Sequence, residues 1–139
     1  MADSTSVWIV DDDRSIRWVL KKALERGGLN AVEFETGEEA LIALERDQPD
    51  VLITDIRMPR LDGLTLMGRF HEHDAELPVI VMTAHSDLDA AVSAYEGGAF
   101  EYLPKPFDVE EAVDLVRRAA AAARSSTAPE SSREDMPEI

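Results

Sequence analysis

The chain has 139 residues, 45% of them apolar, and 29 acidic against 14 basic side chains give a net charge of −15. That length suits a single domain with a real core, and the apolar share is too high for a disordered acidic chain. The acid excess argues against direct nucleic-acid contact, because affinity for phosphate backbones comes from Lys and Arg. Cysteine is absent, which excludes disulfides, thiolate metal sites and cysteine catalysis. No apolar run approaches the ~18 residues of a membrane span. Met1–Ser6 is polar, without the basic segment of a signal peptide. A cytoplasmic protein with no membrane partner is expected.

Residues 1–5 read as a disordered N-terminus. Short apolar, β-branched runs then predict five strands, at Val7-Trp8-Ile9-Val10, Ala31-Val32-Glu33-Phe34, Val51-Leu52-Ile53-Thr54, Val79-Ile80-Val81-Met82 and Glu101-Tyr102-Leu103. Helical spacing separates them. Asp13 can cap a first helix on which Ile16, Val19, Leu20, Ala23 and Leu24 form a stripe, stopped by Gly27-Gly28. Thr36 and Glu39 have capping-box spacing ahead of Ala40, Leu41 and Leu44. A third helix, roughly Thr65 to His73, is interrupted by Gly68. Ser86 can cap a fourth carrying Ala90, Ala91, Ala94 and Tyr95, closed by Gly97-Gly98. Asp108 can cap a fifth with Val109, Ala112, Val113, Val116, Ala119, Ala120 and Ala123 on one stripe.

Five strands alternating with five helices predict a (βα)5 doubly wound α/β domain over 6–124, with one parallel sheet covered on both faces. Residues 125–139 are Ser, Pro and acid with little to bury, and read as a flexible linker or tail. The folded part is acidic in its own right, with 25 acids against 13 bases in residues 1–124.

In such a sheet the site forms outside the carboxyl ends of the strands. Strand one runs into Asp11-Asp12-Asp13, strand three into Asp55, strand four into Thr83, and strand five toward Lys105 between Pro104 and Pro106. Taken singly, each has an ordinary role as a helix cap, a strand-end hydroxyl or a surface lysine. Their convergence on one rim does not. Clustered carboxylates repel one another unless a cation joins them, and an all-oxygen set with open positions suits Mg²⁺. A carboxylate beside that ion can attack a phosphoryl group to give an acyl phosphate, while a lysine and a hydroxyl neutralise and bind its oxygens. Asp12, Asp55, Thr83 and Lys105 supply these parts, and Lys105 is expected to pair with Asp55 at rest.

The motifs Val10-Asp11-Asp12-Asp13, Asp55-Ile56-Arg57-Met58-Pro59 with Asp62-Gly63, Met82-Thr83-Ala84 and Lys105-Pro106-Phe107, in this order and spacing, resemble a response-regulator receiver domain of two-component signalling. The resemblance implies Asp55 as phosphoacceptor and Asp11 and Asp12 as acid-pocket residues. Mg²⁺ would be ligated by Asp12, Asp55 and the backbone carbonyl of Arg57, with Asp11 acting through water. Thr83 and Lys105 would contact the phosphoryl group, Tyr102 would be an aromatic switch, and the peptide before Pro106 would be cis. It implies no enzyme beyond phosphoryl transfer to its own Asp and slow self-dephosphorylation. Arg60 departs from the pattern, since many receivers carry Gly there.

Trp8–Asp13, Ser15-Ile16-Arg17-Trp18-Val19-Leu20 and Thr83–Tyr95 resemble more narrowly the NtrC class of nitrogen-regulatory activators. In that class a receiver precedes an ATPase domain acting on sigma-54 polymerase, and no G-x-x-x-x-G-K-[ST] loop occurs in this chain. The implied partners are a sensor histidine kinase, and a second copy or a central ATPase domain meeting helix four, strand five and helix five. His85 follows Thr83 closely and reads as a bystander, and His71 and His73 are wrongly spaced for a metal pair. An aspartyl-phosphate phosphatase is a competing class, but it wants a general acid where Arg57 stands. A receiver-like module without phosphorylation would show a degraded acid pocket, and this pocket is complete.

Overall fold

The computed structural model describes residues 5–84 and 86–127. The elements are β1 (Ser6–Val10), α1 (Arg14–Arg26), β2 (Asn30–Phe34), α2 (Gly37–Leu44), β3 (Val51–Asp55), α3 (Gly63–His73), β4 (Val79–Ala84), α4 (Leu88–Glu96), β5 (Glu101–Lys105) and α5 (Val109–Thr127). All strands pair in parallel in the order β2-β1-β3-β4-β5. The order reverses between β1 and β3, which makes the carboxyl ends of those two strands the place for a site.

Two apolar layers hold the sheet. Val7, Ile9, Ile53 and Met82 face Leu20 and Leu24 of α1 and Ala112, Leu115, Val116 and Ala119 of α5. Trp8, Val10, Leu52 and Val81 face Ala40 and Leu44 of α2, Leu66 and Phe70 of α3, and Ala90 and Ala94 of α4. Alternate residues of each strand thus serve opposite faces, which is why the central strands read as continuous apolar runs.

The expected caps at Asp13 and Thr36 form, and the one expected at Ser86 does not. Asp13 accepts the N–H groups of Ser15 and Ile16, and Thr36 Oγ1 accepts that of Glu39 at 3.1 Å. Glu39 reaches back to the N–H of Glu35 at 3.1 Å, one residue before the cap itself. α4 is capped by Asp87, not Ser86. α3 begins at Gly63 behind its Asp62 cap and runs unbroken through Gly68, at which an added Cβ would meet open space. Val19 and Tyr95, expected on inner stripes, are exposed, while Leu115 is buried.

The N-terminal boundary also moves, because the carbonyl of Thr5 accepts the N–H of Asn30 at 2.9 Å and so continues the sheet. α5 extends three residues past the expected end at Arg124. Residues 1–4 and 128–139, which hold most of the expected flexible ends, and His85 lie outside the described residues.

Candidate functional site

β1 and β3 lie side by side in register, Val10 opposite Thr54, so the residues that follow them emerge together at the carboxyl edge. One carboxylate oxygen from each of Asp11, Asp12 and Asp55 falls within a span of 4.8 Å. The three differ in setting. Asp11 is fully buried, Asp55 nearly so, and Asp12 is open to solvent.

Asp11 continues the β1–β2 ladder by donating its N–H to Phe34 at 3.2 Å. Its Oδ1 accepts the N–H of Asp13 at 2.9 Å, and its Oδ2 accepts Lys105 Nζ at 3.0 Å. Lys105 Nζ lies farther from Asp55, at 3.4 Å. The resting ammonium is thus hydrogen-bonded to Asp11 and shared with Asp55, which amends the expected simple pair with Asp55. Pro104 and the cis bond between Lys105 and Pro106 flank the lysine at the end of β5.

Burial raises the pKa of Asp55 to about 6, helped by the charge of Asp11 and only partly opposed by Lys105. Burial also raises Asp11, against the pull of the Asp13 N–H and of Lys105. Burial alone would lower Lys105, but its bond to Asp11 and the two negative charges outweigh it and hold the ammonium firmly charged.

Thr83, next to last in β4, has its side chain buried, and its Oγ1 has no hydrogen-bond partner among the described residues. A buried hydroxyl without a partner costs about 1–3 kcal/mol, so it marks a place where an acceptor is wanted. Tyr102 on β5 is half-buried, with its ring edge-on to that of Tyr95 of α4 at 5.8 Å between centroids. The Tyr95 hydroxyl donates to Glu101.

The loop after β3 is fixed by backbone closeness. Gly63 donates its N–H to Ile56 at 2.9 Å, and a Cβ on Gly63 would stand 2.2 Å from the carbonyl oxygen of Asp55. Arg57 turns its side chain away from the carboxylates to Asp87, with Nε 2.8 Å and Nη2 2.7 Å from Oδ2. Arg60 has φ +67°, the left-handed conformation that a glycine would take at lower cost.

The structure therefore brings Asp11, Asp12, Asp55, Thr83 and Lys105 to one edge, with Arg57 and Tyr102 beside them. Sequence reasoning gave no role to Arg17, which reaches back to this loop with Nη1 2.7 Å from the carbonyl oxygen of Asp11 and Nε 2.9 Å from Glu33. Nothing in the helical periodicity singles out that arginine. Gly63 was legible only as half of the Asp62-Gly63 motif.

The model of the response regulator receiver domain family matches residues 7–117, which holds every one of these positions. The chain belongs to that family. It is 63% identical over 113 residues to the DNA-binding transcriptional regulator NtrC of Salmonella typhimurium, across 81% of this chain and 24% of that protein. The solved apo NtrC receiver matches with a TM-score of 0.77 at 60% identity, covering 85% of this chain and 95% of that one. The BeF3-activated NtrC receiver matches with a TM-score of 0.73 at 61% identity, over 84% of this chain and 94% of that one. The chain thus spans about a quarter of the length of the curated NtrC relatives it matches. Among the described residues, no helix of this receiver is long and apolar enough to cross a membrane.

Proposed function

We propose that this receiver accepts a phosphoryl group on Asp55 and passes the change to α4, β5 and α5. The observation that carries the proposal is the trio of carboxylates within 4.8 Å, with a charged lysine against two of them. Three acids so close are costly at neutral pH unless a cation joins them, and their all-oxygen donor set fits Mg²⁺. Asp12, Asp55 and the backbone carbonyl of Arg57 would hold the ion, with Asp11 behind a water. When bound, Mg²⁺ would neutralise charge on the phosphoryl oxygens.

The remaining steps belong to the chain. An Asp55 carboxylate oxygen attacks phosphorus in line. The P–N bond of a phosphohistidine donor breaks, and the imidazole leaves with the electron pair and takes up a proton. The product is an acyl phosphate on Asp55. Lys105 Nζ can move from Asp55 to a phosphoryl oxygen without losing Asp11, because it already contacts both. The unpartnered Thr83 hydroxyl donates to another oxygen. Its inward movement opens room near Tyr102 and lets α4 shift between two states already populated. The chemistry is self-modification with slow hydrolysis, not turnover of an external substrate.

By the NtrC resemblance, the donor would be a cytoplasmic sensor histidine kinase. The responding partner would be a second copy or a central ATPase domain of a longer sigma-54 activator in nitrogen regulation, joined through the acidic segment that begins after α5. Intact-mass spectrometry after treatment with acetyl phosphate and Mg²⁺ tests the core of this. One added phosphoryl group, absent without Mg²⁺ and absent in Asp55→Asn, is expected. Unchanged labelling in Asp55→Asn would overturn it.

A further inference from the structure

We infer that Arg17 is a positioning residue for the metal-holding loop, a fork on α1 that sets where Asp12 points. Resting on the function just proposed, it adds a residue to which that function gave no part.

Asp12 is the most exposed of the three clustered carboxylates, and among the described residues no hydrogen bond holds its side chain. With no partner fixing its rotamer, only its backbone sets where that side chain starts and the direction of its Cα–Cβ bond. That backbone begins at the peptide joining Asp11 to Asp12, whose carbonyl and N–H share one rigid plane. Asp11 holds one side of it through its N–H to Phe34 and its carboxylate to Asp13. Arg17 holds the other, with Nη1 2.7 Å from the Asp11 carbonyl oxygen.

Arg17 can do this because it lies in the first turn of α1, where long helical side chains lean back toward the N-terminus. Its Nε is engaged at the same time by Glu33 on β2, at 2.9 Å, and its side chain is only 12% exposed. The guanidinium is planar and its donors are fixed relative to one another, so anchoring Nε on Glu33 fixes Nη1 on the carbonyl. A lysine offers one point charge and cannot span both acceptors.

Two roles for a buried cation here predict opposite signs. If Arg17 only adds positive charge beside an acidic pocket, it competes with Mg²⁺, and its removal tightens metal binding. If it holds the Asp11–Asp12 peptide, its removal loosens the ligand and weakens metal binding. Outer residues that orient metal ligands typically govern affinity by ~10–100-fold.

The test titrates MgCl2 into wild type, Arg17→Lys and Arg17→Met, following amide shifts of Asp11, Asp12 and Asp55. The expected result is an increase of about tenfold in the Mg²⁺ midpoint for both variants, although Arg17→Lys keeps the charge. In the metal-free variants, amide shifts away from the β1–α1 loop, the start of α1 and Glu33 should match wild type. Acetyl-phosphate labelling of the variants should recover at saturating Mg²⁺. Midpoints within twofold of wild type, or tighter binding in Arg17→Met, would overturn the inference and leave the proposed function standing. Failure of Arg17→Lys to fold would also overturn it, since the residue would then serve the fold. A wild type with no saturable Mg²⁺ shift would instead overturn the proposed function, and this inference with it.

Discussion

Lys105 Nζ stands 3.0 Å from a carboxylate oxygen of Asp11 and 3.4 Å from one of Asp55, so one cation serves two buried acids. Burial, together with two negative charges facing one positive one, raises the pKa of Asp55 to about 6. In the unfolded chain the same carboxyl titrates near the ordinary 3.8. The folded state therefore holds its proton longer than the unfolded state between about pH 4 and pH 6, and stability falls as pH rises through that window. Above it the penalty is constant at up to about 3 kcal/mol, taking about 1.4 kcal/mol per pKa unit. Asp11 adds in the same direction. Lys105 stays charged throughout and contributes no slope there. Urea unfolding of the metal-free domain should show Asp55→Asn gaining on wild type between pH 4.5 and 6.5, with Mg²⁺ closing the gap at neutral pH. Parallel curves for the two proteins would sink the prediction.

Thr83→Val tests the unpartnered hydroxyl. Valine has nearly the same shape, so the exchange removes a polar group that makes no bond and leaves the packing alone. It should be neutral or stabilising by about 1 kcal/mol, the reverse of what a bonded threonine would give. The same variant should still be labelled on Asp55 but fail to transmit the change to the amides of α4. A clear loss of urea resistance would show that the hydroxyl is bonded at rest.

Gly63 and Gly68 both lie in α3 and should answer oppositely to alanine. At Gly63 the new methyl would meet the Asp55 carbonyl oxygen at 2.2 Å, a collision that only a backbone shift of the α3 start or of the phosphoacceptor strand relieves. A cost above about 3 kcal/mol, with slowed labelling, is expected. At Gly68 the methyl points into open space, and the better helix former should add about 1 kcal/mol. Thermal unfolding of the two variants separates them, and equal shifts in Tm would count against the loop geometry.

The strands and the rim were legible because their signals are local. Apolar runs bounded by Asp, Pro and Thr give β1, β3 and β4, and the parallel topology then places Asp11, Asp12, Asp55 and Thr83 together. Long-range choices were not legible. Ser86 and Asp87 are both competent caps, and the decision for Asp87 rests on a tertiary partner, Arg57, thirty positions away. Gly68 reads as a helix breaker until the structure shows that α3 is held by Leu66, Met67 and Phe70 on its inner face. Arg60 at φ +67° is a conformation that a side chain does not announce. Arg17 looks like any solvated helical arginine, because its two acceptors come from a loop carbonyl and from β2.

α4 is restrained mainly at its two ends. Its inner side is Ala90, Ala91 and Ala94, which bury little area per residue, so side-chain pairs at its ends carry much of the restraint. At the N-terminus, Asp87 Oδ1 caps the N–H of Ala90 at 3.3 Å while Oδ2 holds Arg57. At the C-terminus, the Tyr95 hydroxyl holds Glu101 and its ring meets Tyr102. Arg57 is two residues from the phosphoacceptor, so a change at Asp55 reaches the cap through one short loop. Arg57→Gln should therefore speed amide exchange at Ala90 and Ala91 severalfold. Global stability should fall by less than about 1 kcal/mol, since this arginine is largely exposed. Asp87→Ala removes cap and ion pair together and should cost about 1 kcal/mol. Tyr95→Phe should loosen only the far end. Relaxation dispersion on wild type should show μs–ms exchange concentrated between Thr83 and Tyr102, quenched by beryllofluoride and enlarged in Arg57→Gln. If Arg57→Gln leaves protection at Ala90 and Ala91 unchanged, the ion pair is a bystander and the cap alone holds the helix start.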